Sequence, residues 1–214
     1  MKFKIILPAF LAVALLASSF LLKEDPPEIL GIGEKAPMQD YEMKGIDGKT
    51  YSIENSAKEN GLLVMFTCNT CPFVVGAPGR GDGWQGRYNE VYSNALQNNI
   101  GMLMVNSNEA YRDGVDSMEA MKKHAKENSY RAPYVVDKNH QLADALGART
   151  TPHIYLFNSD MELVYKGAID DSNESADKVK EHWLKQALKN LAAGKPIDPN
   201  STRQLGCSIK RVDS

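Results

Sequence analysis

Two of the three cysteines of the chain lie within the run from Thr67 to Pro72, as Cys68 and Cys71. Two cysteines separated by two residues can close a small disulfide or chelate a soft metal ion. A purely structural disulfide, or a pair of buried thiols, is the alternative without chemistry. We favour thiol–disulfide exchange, because the pair stands where an apolar strand pattern gives way to a turn.

The spacing of this pair suggests a role for each thiol. A helix that begins directly after Cys68 would point its free N–H groups and the positive end of its dipole at the Cys68 sulfur. This would lower the pKa of Cys68 and make it the better nucleophile. Cys71, one helical turn further on, would then displace the substrate thiol from the mixed disulfide. Pro72 suits the first turn of such a helix, and we expect Asn69 and Thr70 to contact the substrate.

The dipeptide Thr151-Pro152 lies directly before an apolar strand pattern at 153–157. A proline at the mouth of a strand cannot donate to the ladder, and a cis bond there would leave a bare backbone edge for an extended peptide. We therefore expect Thr151 and Pro152 to bind the backbone of a protein substrate.

Cys207 is the third thiol and lies close to the C-terminus. An odd cysteine in an exported protein indicates a free reactive thiol or an intermolecular bond. Two interpretations stay open. It could act as a second resolving thiol with Cys68 or Cys71 as its partner, or it could be a small side chain that packs the tail onto the domain.

Apolar runs and helical patterns alternate along the chain. This alternation predicts an α/β sandwich with a mostly parallel central sheet. A hairpin over residues 41–53 precedes it, with Asp47-Gly48 as a two-residue turn. The expected strands are 62–66, 100–105, 134–136, 154–157 and 163–165, and the expected helices are 84–98, 116–127, 139–146 and 176–193.

Composition and charge indicate one globular domain with an export segment. The chain has 214 residues, of which 43% are hydrophobic and 24% charged, and a formal net charge of −2. The sequence contains no long basic block, so nothing in its charge pattern indicates nucleic acid as a partner. Residues 1–22 carry two lysines and then an uncharged run, which predicts a signal peptide or an uncleaved membrane anchor. Residues 23–30 read as a linker and 31–214 as the domain, which would be periplasmic or secreted, where disulfides persist.

Over residues 31–211 the chain resembles the thioredoxin-like superfamily, and within it the redoxin or peroxiredoxin-like branch with an internal Cys-x-x-Cys. The resemblance implies a three-layer α/β sandwich with a central mixed sheet, Cys68 as attacking thiol, Cys71 as resolving thiol and Pro152 in cis. It also implies protein thiols or disulfides as partners, a redox partner that recharges the pair, and no cofactor. The motifs that carry it lie at 33–37, 47–49, 68–73, 151–152, 163–167, 170–171 and 206–210.

Three departures from the family pattern qualify this resemblance. Peroxiredoxins have Thr or Ser three residues before the peroxidatic cysteine, where this chain has Met65, so a thiol peroxidase is only the second alternative. Thioredoxins have a buried Asp in the strand below the site, whereas residues 62–66 are all apolar. Thr70 stands where relatives have His, which removes a cation that could stabilise the Cys68 thiolate.

His153 follows the expected cis proline, and we expect it near the cysteine pair. Cys68, Cys71 and His153 together would form a soft-metal set. Copper chaperones of the Sco type are similar in carrying two cysteines and a distant histidine, although they have three residues between the cysteines. A copper-binding protein is therefore the first alternative to the oxidoreductase. A protein-interaction module with an inert disulfide is a further one.

Overall fold

The computed structural model describes residues 28–212. The predictions for the export segment at 1–22, and for most of the linker, concern residues outside this range. Within residues 28–212, no helix has the length and apolar character needed to cross a membrane.

A seven-stranded mixed sheet forms the middle layer, with the strand order β2-β1-β5-β4-β3-β7-β8. Neighbours β3, β4 and β5 are parallel, and the other four neighbouring pairs are antiparallel. The prediction of a mostly parallel sheet from the alternation of strands and helices is therefore wrong, and the sheet is mixed, as the resemblance implied. The strands of this sheet are β1 (Met43–Gly45), β2 (Thr50–Tyr51), β3 (Leu62–Phe66), β4 (Gly101–Asn106), β5 (Tyr134–Val136), β7 (His153–Phe157) and β8 (Leu163–Gly167). A separate two-stranded sheet pairs β6 (Thr150–Thr151) with β9 (Cys207–Ser208).

Helices cover both faces of the main sheet. They are α1 (Ile53–Ser56), α2 (Pro72–Val75), α3 (Tyr88–Gln97), α4 (Met118–Glu127), α5 (Gln141–Leu146) and α6 (Trp183–Ala192). Alternate residues of β3 point to opposite faces. Met65 belongs to a core cluster with α3, α4 and α6, whereas Val64 belongs to a second cluster with α1 and α5. These two cores on either side of one sheet confirm the predicted three-layer α/β sandwich.

All five apolar runs predicted as strands are strands, with ends that differ by no more than two residues. The predicted hairpin also forms, but its turn differs from the expected one. The Gly48 N–H donates to the Gly45 carbonyl at 3.0 Å, so Ile46 and Asp47 are the central turn residues. Gly48 follows them with a φ of 83°, a left-handed conformation that glycine adopts without steric cost.

The prediction of one long helix over 176–193 is wrong in its first half. Only a single 3₁₀ turn forms at Ala176–Lys178, and the α-helix begins at Trp183. The Asp171 carboxylate accepts hydrogen bonds from the N–H groups of Lys180 and Glu181. Those amides are thereby kept out of a continuous helical ladder.

Candidate functional site

The cysteine loop begins at the carboxyl end of β3, an interior strand that lies between β4 and β7. Helix α2 does not begin after Cys68, as expected, but at Pro72, with Cys71 as its N-cap. Proline at the first helical position needs no N–H partner, so it starts the helix here. The expected helix directly after Cys68 is therefore wrong, and Cys71 is the cysteine at the helix N-terminus.

Both cysteines contact Thr151. Their side chains are buried, at 2% exposure for Cys68 and 3% for Cys71, and both are free thiols. The Thr151 hydroxyl lies 3.1 Å from the Cys68 sulfur, and the Cys71 thiol donates to the Thr151 carbonyl at 3.1 Å. The Thr151–Pro152 peptide bond is cis, as the resemblance implied. Thr151 and Pro152 thus lie at the cysteine pair.

The backbone edge at Thr151, which the sequence assigned to a substrate, is occupied by the C-terminal segment of the same chain. Strand β9 pairs antiparallel with β6, with Cys207 opposite Thr151 and Ser208 opposite Thr150. A Cβ atom on Gly206 would lie 2.4 Å from the Thr151 carbonyl oxygen, so only glycine allows this approach. The edge is closed in this conformation.

The same segment brings Cys207 to the pair. Its backbone N–H donates to the Cys71 sulfur, with 3.3 Å between nitrogen and sulfur. Cys207 packs partly buried against the core cluster that contains Cys68 and Cys71. The tail thus packs onto the domain at the site itself, an arrangement that fits both interpretations of Cys207.

The contacts among the three thiols concentrate negative charge on Cys71. Its pKa falls to about 5, chiefly because the Cys68 thiol donates to it, with further contributions from the Cys207 thiol and amide. The same contact with Cys71, followed by burial, raises the pKa of Cys68 well above its usual value. Burial raises the pKa of Cys207 to about 11. In this arrangement the contacts that lower a thiol pKa converge on Cys71, at the start of α2, rather than on Cys68 as the sequence suggested.

A buried polar network that the sequence analysis did not identify fixes the loop between the cysteines. Asp116, which is 0% exposed, accepts from the Asn69 backbone N–H at 3.0 Å and from Asn108. The Asn69 side chain donates to the Val115 carbonyl and accepts from Tyr134. Asn69 was expected to contact substrate, but its amide already has partners, so its role here is to position the loop. No local pattern marks Asp116, which is 47 residues away in sequence.

A cleft of about 210 Å³ opens over the three cysteines. Thr70 is exposed at its rim, where a side chain can contact a substrate. Lys210 lies in the same lining and lowers the pKa of Cys207 by its charge, although burial outweighs it. The lining residues are Cys68, Thr70, Cys71, Pro72, Asn108, Tyr111, Thr151, Cys207, Ser208 and Lys210.

His153 does not join the cysteines, contrary to expectation. Ile154 contributes to the cysteine-side core, so the alternation of β7 directs His153 and Tyr155 to the opposite face of the sheet. The His153 ring accepts from the Arg149 N–H and contacts the Tyr155 hydroxyl. Burial lowers the pKa of His153 to about 3. The soft-metal set of Cys68, Cys71 and His153 is therefore wrong, and no group of three or more His, Cys, Asp or Glu residues between 28 and 212 could bind a metal ion.

Three solved structures illustrate what this chain resembles. An uncharacterized conserved protein from Geobacillus kaustophilus is 31% identical, with a TM-score of 0.76, and the match covers 86% of this chain and 94% of that one. The thioredoxin domain of thiol-disulfide oxidoreductase BVU-2223 from Bacteroides vulgatus is 17% identical, with a TM-score of 0.52, and the match covers 65% of this chain and 89% of that one. The exposed lipoprotein thioredoxin Etrx1 from Streptococcus pneumoniae is 20% identical, with a TM-score of 0.52, and the match covers 70% of this chain and 98% of that one.

Comparison with curated protein sequences finds no match. The AhpC/TSA family model, in contrast, matches residues 32–166, which is more than half of the chain. This family and the thioredoxin-like neighbours support a redox enzyme in general terms. With its cysteine pair at the end of β3 in a thioredoxin-like fold, the chain belongs to the AhpC/TSA family.

Proposed function

We propose that this protein is an exported thiol–disulfide oxidoreductase that exchanges disulfides with protein substrates through Cys68 and Cys71. One observation carries the proposal. The two cysteines lie together in one core cluster beyond the carboxyl end of β3, and both thiols are hydrogen-bonded to Thr151, the residue before Pro152. Two thiols in contact can close a disulfide and pass two electrons to a substrate disulfide.

The contact between the thiols suggests how the proton moves. Cys68 attacks one sulfur of the substrate disulfide and gives its proton to the Cys71 thiolate, to which it is already hydrogen-bonded. A mixed disulfide forms on Cys68, and the first substrate thiolate leaves. Cys71 loses its proton again and attacks the Cys68 sulfur, which releases the second substrate thiolate and closes the Cys68–Cys71 disulfide. Cys71 thus serves as proton acceptor, a role that the apolar strand at 62–66 cannot supply.

Access to the buried pair requires the C-terminal segment to move. Strand β9 pairs with Thr150 and Thr151 and covers the cysteines. Once β9 leaves, the backbone at Thr151 and Pro152 is free to pair with an extended substrate, and Thr70 at the rim contacts it. We therefore keep Thr70, Thr151 and Pro152 as substrate-binding residues, and we assign Asn69 to positioning the loop.

Export is the second part of the proposal. It rests on the charge and apolar pattern of residues 1–22, which would deliver the domain to the periplasm or the exterior, with or without a membrane anchor. An exposed lipoprotein thioredoxin among the structural neighbours supports an extracytoplasmic setting. A separate redox partner would recharge the pair there.

The test is the equilibrium reduction potential of the Cys68/Cys71 pair, measured on the full-length Cys207→Ser variant by trapping thiols across glutathione buffers. We expect one two-electron transition that is lost in a matched Cys71→Ser, Cys207→Ser variant. A value near the roughly −270 mV of thioredoxin would indicate a reductant, and one near the roughly −120 mV of strong oxidants a disulfide donor. Failure of the pair to oxidise in any of these buffers would refute the function. Because Met65 supplies no hydroxyl, we expect no consumption of hydrogen peroxide.

A further inference from the structure

Three thiols meet at this site, and Cys71 lies between the other two. The Cys207 backbone N–H donates to the Cys71 sulfur, with 3.3 Å between nitrogen and sulfur, and the Cys68 and Cys71 sulfurs both hydrogen-bond to Thr151. Cys68 and Cys207 are thus both neighbours of Cys71 in one core cluster. A disulfide to Cys71 could be closed from either side.

The C-terminal segment is fixed on both sides of Cys207, so this contact does not depend on one hydrogen bond. Before it, Gly206 packs on the Thr151 carbonyl. After it, the Lys210 N–H donates to the Asn108 side chain, and the Lys210 carbonyl accepts from the Ala110 N–H. The backbone on either side thus keeps the Cys207 thiol on Cys71.

The three thiols differ in their access to solvent. Cys68 and Cys71 are almost fully buried, whereas Cys207 is partly exposed. Of the three cysteines, Cys207 is therefore the one that an external thiol can approach most readily while β9 is paired. Cys207 is thus placed between the buried pair and the surroundings.

We propose that Cys207 is a third redox-active thiol that forms an internal disulfide with Cys71 in the oxidised protein. The proposal rests on the proposed function, since that function supplies the Cys68–Cys71 disulfide from which the internal disulfide arises. It assigns to the C-terminal segment the transfer of oxidising equivalents between the buried pair and an external protein thiol.

The exchange is balanced without an added oxidant. The Cys207 thiol loses its proton to solvent and attacks the Cys71 sulfur, so that the Cys71–Cys207 bond forms, the Cys68–Cys71 bond breaks, and Cys68 leaves as a thiolate that takes up a proton. An external protein thiolate then attacks the Cys207 sulfur, so that the Cys71–Cys207 bond breaks and Cys71 leaves as a thiolate. A second thiol of that external protein attacks the mixed disulfide, becomes oxidised with the first, and releases Cys207, which takes up a proton. Because the pKa of Cys71 is lowered to about 5, Cys71 is a good leaving group when the external thiolate attacks.

The experiment maps disulfides in the full-length protein after oxidation with oxidised glutathione, acid quenching and alkylation. Cleavage after Lys and Arg leaves Cys68 and Cys71 together in peptide 59–80 and Cys207 in peptide 204–210. We expect wild type to give both the internally bridged peptide 59–80 and the cross-linked pair of peptides. The Cys68→Ser variant should give the cross-link alone, and the Cys71→Ser variant should lose it.

A double variant, Cys207→Ser with Ser208→Cys, is the matched control. It keeps the number of thiols but moves the third one to the other side of β9, so the cross-link should be lost. An equal cross-link in the Cys71→Ser variant or in this control would overturn the proposal. So would its absence from both wild type and Cys68→Ser.

Wild-type mapping also separates this inference from the proposed function and needs no variant to fold. An internally bridged peptide 59–80 without the cross-link would refute the role of Cys207 and leave the function intact. Absence of both bridges would refute both.

Discussion

The hydroxyl of Thr151 lies 3.1 Å from the Cys68 sulfur. Its contact lowers the pKa of Cys68, in opposition to the larger effects of Cys71 and of burial. Thr151 therefore does more than precede Pro152 in the chain. It supplies a polar group that supports negative charge on the cysteine that we expect to attack the substrate.

Thr151→Val removes this hydroxyl and keeps the branched shape of the side chain. We expect the reduction of a disulfide-bonded peptide to slow about fivefold, corresponding to about 1 kcal/mol for one hydrogen bond. The measurement is the single-turnover rate of the reduced protein. Thr151→Ser is the control and should keep most of the rate, and an equal loss in both variants would contradict a role for the hydroxyl.

The stability of the reduced protein should rise with pH because of Cys71. Its pKa is about 5 in the folded state, against roughly 8.5 in an unfolded chain. Between these values the unfolded state binds more protons, so stability increases as the pH rises and is lost as the pH falls through 5. We expect a gain of about 1 kcal/mol between pH 7 and pH 8 in urea unfolding under reducing conditions. Cys71→Ser should lose this gain, and an equal pH dependence in the variant would assign it to other groups.

His153 should make the protein sensitive to acid. Burial lowers its pKa to about 3, whereas an unfolded histidine titrates near 6.5. The unfolded state therefore takes up a proton as the pH falls below about 6.5, and folding loses on the order of 3 kcal/mol by pH 4. Urea unfolding at pH 7 and pH 4 measures this loss. His153→Gln keeps an acceptor that does not titrate and should lose less, so an unchanged difference between the two pH values would contradict the prediction.

The ion pair of Arg87 and Asp170 should matter for stability. It is largely buried, with 2.6 Å between guanidinium nitrogen and carboxylate oxygen, and Asp170 also accepts from the Trp84 indole N–H at 2.7 Å. Asp170→Asn leaves the Arg87 charge buried without a counterion, which should cost about 3 kcal/mol.

Denaturant unfolding measures that cost. Glu174→Gln, in the exposed pair with Lys178, is the control and should change stability by less than about 1 kcal/mol. Equal effects of the two substitutions would show that burial of the Arg87 pair has no energetic consequence.

The sequence predicted the layers of the fold and the position of the pair within it. The apolar run at 62–66 is typical of a strand buried on both faces, and it is β3, an interior strand of the sheet. Cys68 and Cys71 follow that strand directly, so their placement at its carboxyl end required no tertiary information. Thr151-Pro152 before β7 has the same local character, and the cis bond implied by the family resemblance is present.

The features that decide the chemistry of the site were set by contacts between distant segments. The sequence could not show that Asp116 fixes Asn69, because no local pattern reports a pairing between residues so far apart. His153 shows the same limit. It follows Pro152 in the chain and was expected near the cysteines for that reason, but the alternation of β7 directs its ring away from them.

By itself, then, the sequence determined an α/β sandwich with a cysteine pair at the end of a buried strand, because hydrophobic period, proline and cysteine spacing act over a few residues. The thioredoxin type came from the family resemblance. Only the tertiary structure decided which cysteine receives the contacts that lower a thiol pKa. The Cys207 N–H donates to the Cys71 sulfur although the two residues are 136 positions apart in the sequence. The pKa of each thiol depends on the donors and the burial around it, and these exist only after the chain has folded.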